Sequence, residues 1–196
     1  MNGLGIERFS VLGGSAGAAY ALACAKALDR KRLMGVGIVS GFAPRECGLE
    51  VLSAREKNLL RNPSLMRLVM YWRVGRHISS SSSSSNIWEK MAREMGYEGN
   101  NVSGVVESLK EPFRQGVGGY VHDGALMVGD WGFKMEDVKG GVKLWYGEDD
   151  ANTPVQMGRW MRERLEGGYL KVYKDLGHFG VMERWGGEIL RELTEH

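Results

Sequence analysis

Cysteine is scarce: Cys24 and Cys47 are the only two among 196 residues. They cannot build a disulfide framework, and their spacing is not that of a zinc site. The four histidines show no close pairing, so no metal site is expected. Charge of one sign is also missing. Lys and Arg number 26 against 24 Asp and Glu, a net +2, too small a surplus to suggest nucleic acid or an anionic membrane as partner. No apolar run approaches the roughly 20 residues of a membrane-spanning helix. No basic start followed by a long apolar stretch opens the chain, so no secretory signal is visible and a cytoplasmic location is expected.

What is present is an ordinary globular composition, 43% hydrophobic and 26% charged, at a length that suits one domain with a real core. Glycine is the anomaly, with 29 residues, about twice its usual share. Many tight turns or close backbone approaches are implied.

Strands are expected at about 7–12, 33–39, 141–147 and 169–174, the second a continuous apolar run from Leu33 to Val39. Behind the first come a glycine turn and an Ala-rich helix over 18–28, apolar nearly all round and so expected to be buried on most faces. Strand, turn and buried helix open a parallel βαβ unit. Thr153-Pro154-Val155-Gln156 has cap, proline and N3 glutamine in order for a helix start, with Met157, Trp160, Met161 and Leu165 as the apolar face. A last helix is expected to carry Val181, Met182, Trp185, Ile189, Leu190 and Leu193 on one side.

Between the second and third strands the pattern changes. Asn62-Pro63 reads as a helix start before Leu65, Leu68, Val69 and Trp72 at helical spacing. Asn86 and Glu89 have capping-box spacing before Ile87, Met91 and Met95. The serine run 79–85 between them buries nothing and reads as a flexible loop.

Gly13-Gly14-Ser15-Ala16-Gly17 matches G-x-S-x-G in its required setting, after a strand and opening a helix. The sharp turn strains the serine and lifts its hydroxyl above the sheet edge. The flanking glycines leave room for neighbouring backbone. The Ala16 amide, at a helix start, can donate to an oxyanion. Two further features supply partners. Gly147-Glu148-Asp149-Asp150 lies just past a strand end, and Gly177-His178-Phe179 just past the next. A serine needs a base, and the base an orienting carboxylate. All three groups fall at the carboxyl ends of parallel strands, where open α/β sheets place their sites.

With these pieces the chain resembles the α/β-hydrolase superfamily, in its serine-hydrolase branch with a helical lid. The likeness covers 6–44 and about 117–196, through G-G-S-A-G, L-W-Y-G-E-D-D-A-N-T-P-V and L-G-H-F. In the family pattern the acid stands three residues after the strand-end glycine. The resemblance therefore implies Ser15 as nucleophile, His178 as general base and Asp150 as the residue orienting it, with Asp149 an exposed neighbour. It implies a partial α/β-hydrolase fold: a mostly parallel sheet of about four strands flanked by helices, formed by 1–44 and 117–196, with 45–116 an inserted helical lid. Family members carry several strands before the elbow, and a His-Gly or glycine-rich loop there supplies a second oxyanion amide. An elbow starting at residue 13 implies an N-terminally truncated hydrolase. Its elbow strand would form an unpaired apolar edge, through which the chain could self-associate.

The activity implied is hydrolysis of a carboxylic ester or related small-molecule acyl substrate, by way of an acyl-enzyme and without a cofactor. A non-catalytic remnant with a binding role, and an acyltransferase using the same three residues, are the alternatives. Serine at the elbow disfavours the aspartate chemistry of relatives that open epoxides. A dinucleotide fingerprint is excluded because glycines do not recur at i, i+2 and i+5 from Gly13 or Gly14, and no Gly-Lys-Ser/Thr phosphate loop occurs. His122-Asp123 is read as structural or as part of a polar loop in preference to catalytic, His77 as solvated, and Glu46, Glu50 and Arg55 to Lys57 as a solvated helix face. The Asn101-Val102-Ser103 sequon is read as chance. Met70, Tyr71 and Trp72 are read as lid core in preference to an acyl pocket.

Overall fold

The computed structural model describes residues 4–47, 64, 68, 71–72, 88–90, 92–93, 101–114 and 117–195. The chain divides into two compact units, Met1–Val51 with Asp130–His196, and Leu52–Gly129.

Among the described residues the first unit is built on four strands, β1 (Phe9–Gly14), β2 (Leu33–Val39), β3 (Val142–Gly147) and β4 (Tyr169–Tyr173), in the order β1-β2-β3-β4. Every pairing is parallel. The register pairs Gly14 with Val39, Val39 with Trp145 and Gly147 with Tyr173, so β3 and β4 end two residues beyond β1 and β2. The residues that follow each strand therefore emerge along one edge of the sheet. β1 lies at the end of the order, and its residues 9–12 are only partly buried.

Helix α1 (Gly17–Ala27) packs against β1 and β2. Its buried residues are Ala18, Ala21, Leu22 and Ala25, the i, i+3, i+4, i+7 stripe of a one-sided helix. Burial on most faces, expected from composition, is not found. Tyr20 is 49% exposed, because alanine is small enough to sit on a solvated face without revealing it in the sequence. Helices α4 (Val155–Arg164) and α5 (Gly180–Thr194) complete this unit. α5 covers the sheet face formed by Leu12, Val39, Trp145 and Tyr173 with Val181, Ile189 and Leu193. Its buried positions are Val181, Gly186, Ile189 and Leu193, with Trp185 partly buried beside them, so Met182 and Leu190, expected on the same side, turn outward. Gly35 and Gly37 of β2 allow the close approach. A Cβ on Gly35 would stand 2.6 Å from the Leu193 carbonyl oxygen. On the pleat-opposed face, Gly158 of α4 lies against the ring of Tyr146.

The second unit holds α2 (Asn101–Lys110), a 3₁₀ turn at Glu111–Phe113 and α3 (Val117–Val128). Trp88, Ala92, Val102 and Val106 form its core. The Phe113 ring meets Trp88 at 5.4 Å and Tyr120 at 4.7 Å between centroids. The units divide at Gly129, so α3 groups with this unit, whereas the sequence reading set 117–128 in the hydrolase core. His122 and Asp123 sit on exposed positions of α3, not in a loop. Tyr71 and Trp72 are exposed, against their reading as buried core. The serine run 79–85, the cap at Asn62, the helix start at Asn86 and Met70 lie outside the described residues. Among those residues no helix is long and apolar enough to cross a membrane.

Candidate active site

Ser15 follows directly on β1. Its backbone has φ of +50°, a left-handed conformation costly for a residue with a side chain. Three backbone hydrogen bonds hold it there. The Ser15 amide donates to the Val39 carbonyl at 3.0 Å, and the Ser15 carbonyl accepts from Ala18 at 3.2 Å and Phe42 at 3.1 Å. The strain is therefore set by the end of β2 as much as by the elbow itself. Ala16 is the N-cap of α1, and N–H groups at that end lack an intrahelical acceptor.

The elbow glycines are not equivalent. A Cβ on Gly13 would meet the Gly17 carbonyl oxygen at 2.5 Å and the Ala21 Cβ at 2.9 Å. On Gly14 it would find only the Val39 carbonyl oxygen, at 3.9 Å, and on Gly17 nothing within 4 Å. The expectation that all the flanking glycines make room for neighbours holds for Gly13 alone.

Asp150 sits three residues beyond the last residue of β3, in a turn that its own side chain closes. Its Oδ1 accepts from the amides of Asn152 and Thr153, both at 2.9 Å. Its Oδ2 accepts from the Thr153 hydroxyl at 2.8 Å and stands 2.8 Å from His178 Nδ1. The carboxylate is wholly inaccessible to solvent. Burial pushes its pKa up, but the donors His178 and Thr153 overcome that and hold it below the usual carboxylate range. Asp149 is exposed, and its amide donates to the Leu176 carbonyl.

His178 lies five residues past the end of β4, its side chain 8% exposed. Its Nε2 is 3.0 Å from Ser15 Oγ. With Nδ1 facing a carboxylate, the neutral ring carries its proton there and leaves Nε2 to accept the serine proton. The ring stands edge-on to Phe179, 4.9 Å between centroids. Ser15, His178 and Asp150 thus form one continuous hydrogen-bonded chain.

Sequence reasoning missed Thr153 as a site residue, taking it for the cap of α4. The N-cap is Pro154, which has no side-chain capping bond. The Thr153 hydroxyl turns instead toward Asp150, His178 Nδ1 and the Ser40 carbonyl. The usable signal was the spacing Asp150-x-x-Thr153, which lets the carboxylate close its own turn. Among the described residues no group of three or more His, Cys, Asp or Glu side chains could hold a metal ion.

No protein-family model and no curated sequence matches the chain. Solved structures do. A hydrolase from Pseudomonas aeruginosa superposes with a TM-score of 0.66 at 14% identity, over 98% of this chain and 66% of that one. Est816, an N-acyl homoserine lactone degrading enzyme, gives 0.60 at 18% identity, over 98% and 70%. A thermophilic esterase from Thermogutta terrifontis gives 0.58 at 19% identity, over 99% and 69%. An α/β hydrolase from a deep-sea metagenome library gives 0.55 at 15% identity, and the chain spans 65% of its length. The chain has a partial α/β-hydrolase fold: a parallel four-stranded sheet flanked by helices, about two thirds the length of the structures it resembles.

Proposed function

We propose that the protein is a serine hydrolase acting on a carboxylic ester or a related small-molecule acyl compound. The observation that carries this reading is the unbroken hydrogen-bonded chain from Ser15 Oγ through His178 to Asp150. His178 Nε2 takes the serine proton as Oγ attacks the acyl carbonyl. Asp150 holds the ring and stabilises the imidazolium that forms. The Ala16 amide supports the developing oxyanion. The imidazolium protonates the leaving alcohol, giving an acyl-enzyme and neutral His178. His178 then removes a proton from water, which releases the acid. The esterase and the lactone-degrading enzyme among the structural neighbours fit this chemistry in kind.

The separate helical unit inserted in sequence between β2 and β3 supports its reading as a lid. The position of β1 at the end of the sheet favours self-association through that strand. Light scattering at the monomer mass across a wide concentration range would count against it.

Steady-state hydrolysis of a short-chain p-nitrophenyl ester tests the central reading. Turnover by the wild type that disappears in Ser15→Ala supports it. Equal rates in the two proteins, or no turnover above buffer by the wild type, overturn it in favour of a non-catalytic binding role.

A further inference from the structure

The Thr153 hydroxyl has one proton and three neighbours: Asp150 Oδ2 at 2.8 Å, the Ser40 carbonyl at 2.9 Å and His178 Nδ1 at 3.1 Å. The residue is fully buried. The His178 Nδ1–H faces the carboxylate, so the hydroxyl proton chooses between Asp150 and Ser40. An anionic oxygen attracts it more strongly than a carbonyl. Asp150 then has every acceptor position filled. Two amides meet Oδ1, and one hydroxyl and one imidazole meet Oδ2. Of these four donors, two belong to Thr153.

The other end of this contact is also fixed. Ser40 follows β2 directly, with φ of +47°. Its amide donates to the Trp145 carbonyl at 2.9 Å. The next carbonyl, of Gly41, accepts from the Tyr146 hydroxyl at 2.5 Å. Thr153 therefore lies between the acid after β3 and the rigid corner after β2. From the adjoining residues of that corner, Val39 and Phe42 also bond the backbone of Ser15.

We infer that Thr153 is a positioning residue, whose hydroxyl and amide both donate to the Asp150 carboxylate and fix it so that His178 Nε2 faces Ser15. This rests on the serine-hydrolase reading for its kinetic consequence, though not for its geometry. Thr153 acts through Asp150 and His178, so its loss changes the chemical step and spares substrate binding.

The test compares Thr153→Val, which keeps the shape and removes the hydroxyl, with Thr153→Ser, which keeps the hydroxyl. Two readouts are used: ester hydrolysis, and the downfield proton resonance of the His178 Nδ1–H in protein without substrate. Expected are a drop of roughly 10–100-fold in kcat for Thr153→Val with KM within about twofold, loss or broadening of the resonance, and retention of both by Thr153→Ser. Thr153→Ala replaces the valine variant if that one does not fold. Wild-type kcat and an unchanged resonance in Thr153→Val overturn the inference. So does an equal fall in the valine and serine variants, which would make the role one of packing. If the wild type lacks turnover, the serine-hydrolase reading fails separately, and the resonance alone decides the role of Thr153.

Discussion

The hydroxyl of Ser15 and the imidazole of His178, 163 positions apart in the chain, meet at 3.0 Å. Neither owes its place to its near sequence alone. Ser15 is held by Val39 and Phe42 from the end of β2, and His178 by Asp150 from the end of β3. The parallel register, which sets Gly14, Val39 and Trp145 in one row and the Gly147–Tyr173 pair two residues beyond it at the same edge, converts distant sequence positions into one site.

Asp150→Asn keeps the shape of the acid and removes its charge. The amide cannot stabilise the imidazolium, and it favours the wrong ring tautomer. A loss of roughly 10²–10⁴ in kcat is expected, by analogy with the same change in a serine protease. The check is a kinetic comparison of wild type and variant, with circular dichroism to confirm folding.

The same carboxylate makes stability depend on pH. Its native pKa lies below the ordinary value, through the donors His178 and Thr153 acting against burial. The unfolded chain therefore binds the proton more readily. The stabilisation is complete above the unfolded value of about 4 and is lost as pH falls through the lower native value. Thermal unfolding from pH 6 down to pH 3 should show a smaller acid-side decline in Asp150→Asn than in wild type. Identical pH slopes would contradict this.

The elbow glycines give opposite expectations. Gly13→Ala forces a Cβ against the Gly17 backbone and Ala21 and should cost about 1–3 kcal/mol, as overpacking does. Gly17→Ala meets open space at the first turn of α1 and should be neutral or stabilising by up to about 1 kcal/mol. Chemical denaturation of the two variants distinguishes them.

Away from the site, Glu192 on α5 ties two strands to that helix. Its Oε2 accepts from the buried Trp145 indole at 3.0 Å, and its Oε1 stands 2.9 Å from Lys171 Nζ. Glu192→Ala leaves the indole N–H without its acceptor and should destabilise by about 1–3 kcal/mol. Turnover per folded molecule should change little. Denaturant midpoints and active-site titration check the two halves of that statement.

The strands were legible because their apolar runs are continuous and their ends are marked by glycine, as at Gly14 and Gly147. The meeting of Ser15, Asp150 and His178 could be read from their places just past such ends, since parallel strands deliver those places to one edge. Side-chain competition was harder to read. Thr153 before Pro154 carries a strong local helix-cap signal, yet a buried carboxylate three residues earlier takes its hydroxyl. Helix α1 hid its polarity because alanine does not distinguish a buried face from a solvated one. Met182 and Leu190 looked like core because apolar residues crowd that helix beyond the stripe that packs. Gly14 and Gly17 fit the motif, but only Gly13 is pressed by its surroundings.

The most direct test of the central claim is covalent labelling with a fluorophosphonate followed by peptide mapping. If His178 activates Ser15, the wild type gains one adduct located on Ser15, and both Ser15→Ala and His178→Ala fail to gain it at the same rate. An adduct elsewhere, or equal labelling of wild type and His178→Ala, would contradict the account.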